Sequence, residues 1–345
     1  MQLQVAGVVV FYMSAALVMV FVNKAVLKSS PDLPLVFLFV QLVMAVLLLH
    51  ATALVTSKVE IPAMDLAVAK KLLPVVSVNA IGLVFNTLCL RDVEASFFQI
   101  ARGMQLPLTI LVSSWHLHQI PTKRVLVAAC VVTAGFFVGI TPTRSLPRDA
   151  TPSGLSLFYG VISSLMIAIH AVLIKSSLPH CQNSTIQLAY WTNIGSAVML
   201  APFVIFHGEI TKVVDLYATP SWDGNTFVWG SLVTGLFGFL LCVAGLLSIK
   251  VTSPTSHMFS SAARSVLQTA LGVLIFHDIL TINRAASILT ILVGTLWYTW
   301  IKSTESRQQP PSRPVDLEAM NTPKHNEEEA VVLFSAPEKD VTDRD

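Results

Sequence analysis

The chain has 345 residues, of which 54% are hydrophobic and only 12% are charged, and its formal net charge at pH 7 is +2. A soluble domain carries about 25% charged residues, so this composition excludes an ordinary water-soluble protein. The small net charge, with no basic cluster, gives no indication of a nucleic-acid partner. The four cysteines form no CxxC pair and predict neither a disulfide framework nor a metal site.

Long apolar segments recur along most of the chain. A helix needs about 20 apolar residues to cross the hydrocarbon core of a bilayer. The first segment is too long for the apolar region of a cleaved signal peptide, so we predict that it is the first membrane span. The sequence therefore predicts an all-α membrane protein with ten transmembrane helices, at about 5–27, 35–57, 72–90, 95–115, 122–140, 154–178, 186–207, 226–248, 255–276 and 284–302.

After residue 302 the composition changes sharply. Residues 303–345 are rich in Pro, Glu, Lys and Asp and contain few aromatic residues. Such a segment cannot bury enough apolar surface to fold, so we predict a disordered polar tail on the cytosolic side. Residues 1–302 then form the membrane domain.

Two windows of the sequence resemble each other. Ala101-Arg102 and Ala263-Arg264 each lie in mid-span, and each is followed after about 20 residues by a basic loop and a last apolar span. The similarity predicts a duplicated five-helix unit, with repeat one at about 5–140 and repeat two at about 154–302. Because five is odd, the second copy is inverted in the membrane, as in many secondary transporters. Coincidence between two apolar segments is the alternative.

Ten spans place both termini on one side of the membrane. Lysine and arginine are almost equally frequent in the loops of the two sides, but Lys302 and Arg307 directly follow the last span. Positive residues favour the cytosolic side, so we predict cytosolic termini. The sequon Asn183-Ser184-Thr185 is then cytosolic, and we expect no glycan on it.

The charges inside the predicted spans have one sign. Arg102 and Arg264 lie near the middle of spans 4 and 9, Lys24 lies near the end of span 1, and no Asp or Glu falls inside any span. A charge in mid-bilayer costs about 2.5–3.5 kcal/mol on insertion scales and is normally paired. An anionic ligand in a central cavity would complete this pairing, and the fork of arginine suits phosphate. Alternatively, Arg102 snorkels or contacts backbone carbonyls at a helix break.

The presence of cations and the lack of acids in the predicted spans also indicate the transport mechanism. Proton-coupled transporters use buried carboxylates or chains of histidines, and here only His170 and His257 are candidates. Each is better explained as a polar cavity residue or a packing residue. Exchange of one anion for another is the simpler prediction.

Polar residues near these cations complete the candidate site. Tyr190 and Trp191 could stack on a base, although an interfacial aromatic belt explains them equally well. The other polar residues could line a central site or could serve helix packing. These candidates are Asn23, Asn86, Asn193, His257, Ser260 and Ser261.

Four segments carry a resemblance to a known family. The chain resembles the nucleotide-sugar and triose-phosphate transporter branch of the drug/metabolite transporter superfamily, and within it the Golgi GDP-fucose transporters. The similarity covers residues 5–302. The segments are Phe21 to Lys24, Phe85 to Leu90, Gly235 to Phe239 and Lys250 to His257.

This resemblance implies a ten-helix antiporter that exchanges a cytosolic nucleotide sugar for a lumenal nucleoside monophosphate. In GDP-sugar transporters a Phe-Tyr-Asn-Asn motif in span 7 recognises guanine, and of the matching positions here, Tyr190 to Asn193, only Asn193 is identical. A Gly-Ala-Leu-Asn-Lys motif in span 9 binds the sugar-phosphate end. It matches Ser260 to Arg264, with Arg264 in place of lysine.

The predicted function is therefore a Golgi antiporter of GDP-fucose, or another GDP-sugar, against GMP. The alternative is transport of another nucleotide sugar or of small phosphorylated metabolites on the same fold. A membrane enzyme would need a catalytic carboxylate, a Cys–His pair or a metal set, and none is convincingly placed. We expect no cofactor, a lipid bilayer as the surroundings, and leave a homodimer open.

Overall fold

The computed structural model describes residues 2–56, 59–118, 120–141, 153–220, 222–251 and 254–308. Within the helices, the side chains of residues 2–6, 8, 9, 96, 117, 242–251, 254–263 and 306–308 lie outside this description. All regular secondary structure in the described ranges is helical, which confirms the all-α class. The predicted disorder of the tail concerns residues that lie almost wholly outside the described part.

The described helices are mostly long. Eight of them are long and apolar enough to cross a membrane, namely α1, α2, α3, α6, α7, α8, α10 and α12, and α11 contains a shorter apolar segment, Arg264–Phe276. A short 3-10 helix, Leu178–Cys181, joins α7 to α8. The helices are α1 Gln2–Ser29, α2 Pro34–Val55, α3 Leu66–Asp92, α4 Ala95–Gly103, α5 Gln105–Leu117, α6 Lys123–Ile140, α7 Gly154–Ser177, α8 Thr185–Phe206, α9 Glu209–Tyr217, α10 Gly224–Val251, α11 Pro254–Phe276 and α12 Ile282–Gln308.

The predicted span over residues 95–115 differs from the structure, which divides it into α4 and α5 at Met104. Pro107 explains the break. A proline has no N–H to donate to the carbonyl four residues earlier, here Gly103, and its ring collides with that carbonyl. The helix therefore ends at Gly103, one residue beyond Arg102, and restarts at Gln105.

Small residues bring the helices close together. α3 packs along α7, where a Cβ added to Gly82 would meet Met166 Cβ at 3.0 Å. Further along this pair, a Cβ added to Gly160 would meet Cys89 Sγ at 3.3 Å, so the two helices are antiparallel. α1 packs along α10 in a similarly extensive contact. Close backbone approach of this kind is how helices associate in lipid.

One end of the bundle is held by several polar contacts, and we call it the Arg284 end. Arg284, which is 2% exposed, donates to a carboxylate oxygen of Glu94 and to Ile279 O at 2.8 Å. Its guanidinium lies 5.5 Å from the centre of the Phe97 ring. Trp222 Nε1 donates to Ser30 Oγ at 2.9 Å at the same end.

The opposite end, which we call the Glu305 end, brings the start of α6 to the end of α12. Thr122 Oγ1 donates to Glu305 Oε1 at 3.2 Å, and Lys302 Nζ donates to Glu305 Oε2 at 3.0 Å. Gly160 lies near the start of α7, close to Cys89. The loop of Asn183 follows the other end of α7, between α7 and α8.

Candidate functional site

The two mid-span arginines lie near each other, although 162 positions separate them. Arg102 ends α4 and Arg264 lies on α11, and the positive charges of the two guanidiniums repel each other. The Arg102 guanidinium lies 5.6 Å from the centre of the Phe98 ring, and that of Arg264 lies 5.9 Å from the centre of the Tyr12 ring. The structure therefore brings these two cations into one region, and their role in binding a ligand stays a prediction.

Among the described residues, no carboxylate acts on the charge of Arg102. In the described part of the chain, the groups that act on its charge are Arg264, Tyr12 and Cys89, none of which is a carboxylate. Contact with aromatic faces contributes about 0.5–2 kcal/mol per cation, less than the cost of placing a charge in mid-bilayer. This arrangement is suited to an anion.

A cavity of about 170 Å³ lies beside Arg102, between α3, α4 and α7. Its lining combines apolar side chains with amide, imidazole and guanidinium groups. The lining residues are Val78, Asn79, Gly82, Leu83, Asn86, Arg102, Met166, Ile167 and His170.

The polar groups of this cavity are only partly used by the protein. Asn79 Nδ2 donates to Ser196 Oγ at 3.0 Å. Among the described residues, the Asn86 amide forms no hydrogen bond, and His170 Nε2 is buried without a partner. Buried polar groups are normally satisfied, so a ligand hydroxyl group would complete the bonding of His170 Nε2, and the half-buried Asn86 amide is free to bond to a second one.

Two predicted site residues on α1 are held by protein groups. Lys24 Nζ donates to the backbone oxygens of Leu90, Arg91 and Val93, at 2.8, 3.1 and 2.5 Å. Asn23 Oδ1 accepts from Gln41 Nε2 at 2.7 Å. Lys24 thus lies at the Arg284 end, where it ties α1 to the turn between α3 and α4.

The predicted base-binding residues lie on α8 and are covered in this conformation. Tyr190 is 3% exposed and packs against the His50 ring, with 5.4 Å between the centres. Trp191 is 7% exposed and belongs to a hydrophobic cluster with Leu72 and Val76 of α3. Asn193 Nδ2 donates to Ala189 O of its own helix at 2.7 Å.

Three further candidates have no described side chain. His257, Ser260 and Ser261 lie on the described backbone of α11, one to two turns before Arg264, but their side chains lie outside the described part. Their place in the site remains a prediction.

Sequence reasoning missed Tyr12, the aromatic partner of Arg264. A signal was present, because a tyrosine in the interior of an otherwise apolar span needs a polar partner for its hydroxyl. Sequence reasoning also did not pair Arg284, the first residue of the predicted span over 284–302, with Glu94. No local pattern connects residues 190 positions apart.

Known proteins resemble this chain over most of its length. The model of the Triose-phosphate Transporter family matches residues 3–299. GDP-fucose transporter 1 of Mus musculus is 31% identical over 322 residues, which cover 90% of this chain and 87% of the relative. The Drosophila melanogaster protein named GDP-fucose transporter, Golgi, is 26% identical over 320 residues, which cover 89% and 92%.

A crystal structure of another protein shares the fold. It superposes with a TM-score of 0.54 at 14% sequence identity, and the match covers 86% of this chain and 99% of the other.

Proposed function

We propose that this chain, which belongs to the Triose-phosphate Transporter family, is a Golgi antiporter that exchanges GDP-fucose for GMP. The observation that carries this proposal is the convergence of Arg102 and Arg264. The diphosphate of a nucleotide sugar carries the negative charge that would bind between two such cations. GMP supplies a smaller anion for the return step, so no buried acid is needed to carry a proton.

The assignment of the base and of the sugar depends on the names of the similar proteins. The mouse and fly proteins are both named GDP-fucose transporters, which favours a GDP-sugar over a triose phosphate. The name of the fly protein supports the Golgi as the location. Transport of another nucleotide sugar is the second candidate, since only Asn193 of the span 7 motif is identical to the motif of GDP-sugar transporters.

The architecture that we propose has ten membrane crossings in two inverted five-span repeats. The crossing formed by α4 and α5 is interrupted at Met104, and α11 provides the ninth. If each span is equivalent to the one five positions later, the contact of α1 with α10 corresponds to that of α3 with α7, and both contacts are extensive among the described residues. The sequence Ala-Val-Leu followed by Lys-Ser-Ser also ends both α1 and α7. Both observations support a duplication.

Reconstitution into liposomes tests the function. We expect internal GMP to accelerate uptake of labelled GDP-fucose, and a panel of external nucleoside monophosphates to compete in the order of base preference, with GMP first. Uptake of triose phosphate without any nucleotide uptake would refute the proposal.

The anion site is tested by variants of its cations. Arg264→Ala should abolish exchange of both GDP-fucose and GMP, because the diphosphate and the monophosphate lose the same cation, and Arg264→Lys should retain part of it. Arg91→Ala is the matched control, since Arg91 pairs with Asp92 near the Arg284 end. Near-normal exchange by Arg264→Ala would contradict the assignment.

A further inference from the structure

The cavity beside Arg102 is too small for a whole nucleotide sugar. Sites that enclose a drug-sized ligand occupy about 300–1,000 Å³, and this one has about 170 Å³. It therefore receives one part of the ligand, which could be a phosphate, the base or the sugar ring.

The chemistry of the lining selects among these parts. Arg102 is the one lysine or arginine among the nine lining residues, and about half of the lining is apolar, which suits a phosphate less well than a ring with apolar faces. The lining contains no Phe, Tyr or Trp on which a base could stack. A hexose ring has hydroxyl groups at its edge and C–H groups on its faces, and this matches a lining that combines amides and an imidazole with Val78, Leu83 and Ile167.

The geometry along α3 fits the same part of the ligand. Asn79 and Asn86 are seven residues apart on α3, which is two turns or about 10 Å along the axis. This length accommodates a hexose ring with its glycosidic phosphate. Arg102 faces the same cavity and also lies near Arg264, so the phosphates and the sugar would occupy adjoining space.

We propose that the cavity between α3, α4 and α7 holds the hexose ring of the nucleotide sugar, and that Asn79, Asn86 and His170 are specificity-determining residues for that sugar. This inference rests on the proposed exchange of a nucleotide sugar. Asn86 and His170 carry it furthest, because their polar atoms lack partners among the described residues and a sugar hydroxyl can bond to each.

The test compares two substrates that differ in the sugar. GMP has no hexose, so exchange of external for internal GMP measures folding, the nucleotide site and the transport cycle without the cavity. We expect His170→Leu and Asn86→Leu to lower GDP-fucose uptake at least about fivefold, because a sugar hydroxyl loses its partner. GMP exchange should stay within about twofold of the wild-type rate.

Matched substitutions outside the cavity serve as controls. His116→Leu on α5 and Asn225→Leu on α10 change exposed residues that do not line it, and both rates should remain at wild-type levels. Equal losses of GDP-fucose and GMP exchange in the cavity variants would overturn the assignment to the sugar, and so would unchanged rates of both. If the wild-type protein exchanges GMP but not GDP-fucose, the proposed substrate is wrong and this inference fails with it.

Discussion

The contacts of Lys24 in the structure give its positive charge a different role from the one that the sequence suggests. In the sequence it is a cation near the end of an apolar span and a candidate for binding the diphosphate. In the structure its ammonium donates to three backbone oxygens at and just after the end of α3, where the helix leaves carbonyls without intrahelical partners. This contact gives Lys24 a second role that can be separated from ligand binding.

Replacing Lys24 by methionine should therefore destabilise the protein. Each buried carbonyl left without a donor costs about 1–3 kcal/mol, so we expect Tm in detergent to fall by about 2–6 °C or more. Lys28→Met is the control, because Lys28 lies one turn further along α1 and is exposed. An unchanged Tm with a raised KM for GDP-fucose would instead favour the binding role.

Glu209 is a buried acid that links α9 to α2. Its side chain is fully buried, and Oε2 accepts from the backbone nitrogens of Leu35 and Val36, at 2.9 and 2.8 Å, in the first turn of α2. Burial raises the pKa of the Glu209 carboxyl above its ordinary value, although these two bonds and the positive charges of His207 and Lys212 act in the opposite direction. Proton binding is therefore easier in the folded protein than in the unfolded chain.

The raised pKa of Glu209 makes the folded protein more stable at low pH than at high pH. The stabilising effect of protonation is fully present below the ordinary pKa of a glutamate and is lost as pH rises through the raised pKa of the folded state. We expect the Tm difference between Glu209→Gln and wild type to grow with pH, because the amide never carries the charge. Glu209→Ala should be less stable than Glu209→Gln by about 1–3 kcal/mol, since two N–H groups lose their acceptor. A difference independent of pH would contradict this reading.

At the scale of the element, the break between α4 and α5 positions Arg102. Pro107 ends α4 at Gly103, so Arg102 occupies the last turn of a short helix instead of the interior of a long one. Its own carbonyl accepts from the Met104 N–H in the turn that follows. The interruption lets the chain change direction next to Arg102, the cation that we propose for the anion site.

Pro107→Ala should restore a continuous helix through Met104. Alanine supplies the missing N–H, and removing an interior proline gains up to about 3 kcal/mol of helix stability. We expect slower amide hydrogen exchange at residues 103–106 and reduced GDP-fucose uptake because Arg102 is displaced. Pro74→Ala is the control, since α3 continues through Pro74 without a break. Unchanged exchange at residues 103–106 would show that proline does not cause the interruption.

For the whole molecule, the two ends of the bundle should face different compartments. Asn183 lies in an exposed turn between α7 and α8, on the side predicted to be cytosolic. Tyr217 ends α9, follows α8 at the other end of that helix and is 86% exposed. These two positions therefore report on opposite sides of the membrane.

Glycan mapping checks the orientation in cells. Asn183 should carry no glycan, and glycosidase treatment should leave the mobility of the wild-type protein unchanged. Tyr217→Asn places an acceptor sequence ahead of Ala218 and Thr219, and we expect this variant to be glycosylated. A glycan on Asn183, with none at position 217 of the variant, would reverse the predicted topology.

The sequence by itself determined the features that depend on local composition. Hydropathy located the long apolar helices, the lack of acids in the spans indicated an anion, and motifs from Phe21 to His257 indicated the family. It did not reveal the interruption at Met104, although Gly103 and Pro107 were visible, because one apolar window covers both helices.

Only the tertiary structure decided which distant residues meet. It placed Arg264 beside Tyr12 and near Arg102, gave Lys24 three carbonyl partners, and covered Trp191 with residues of α3. The physical reason is that membrane helices form from local hydrogen bonds and apolar length, whereas a site forms from the packing of helices that are far apart in sequence. A charge asymmetry along the chain could therefore predict that a site exists, and only the packing could show which residues form it.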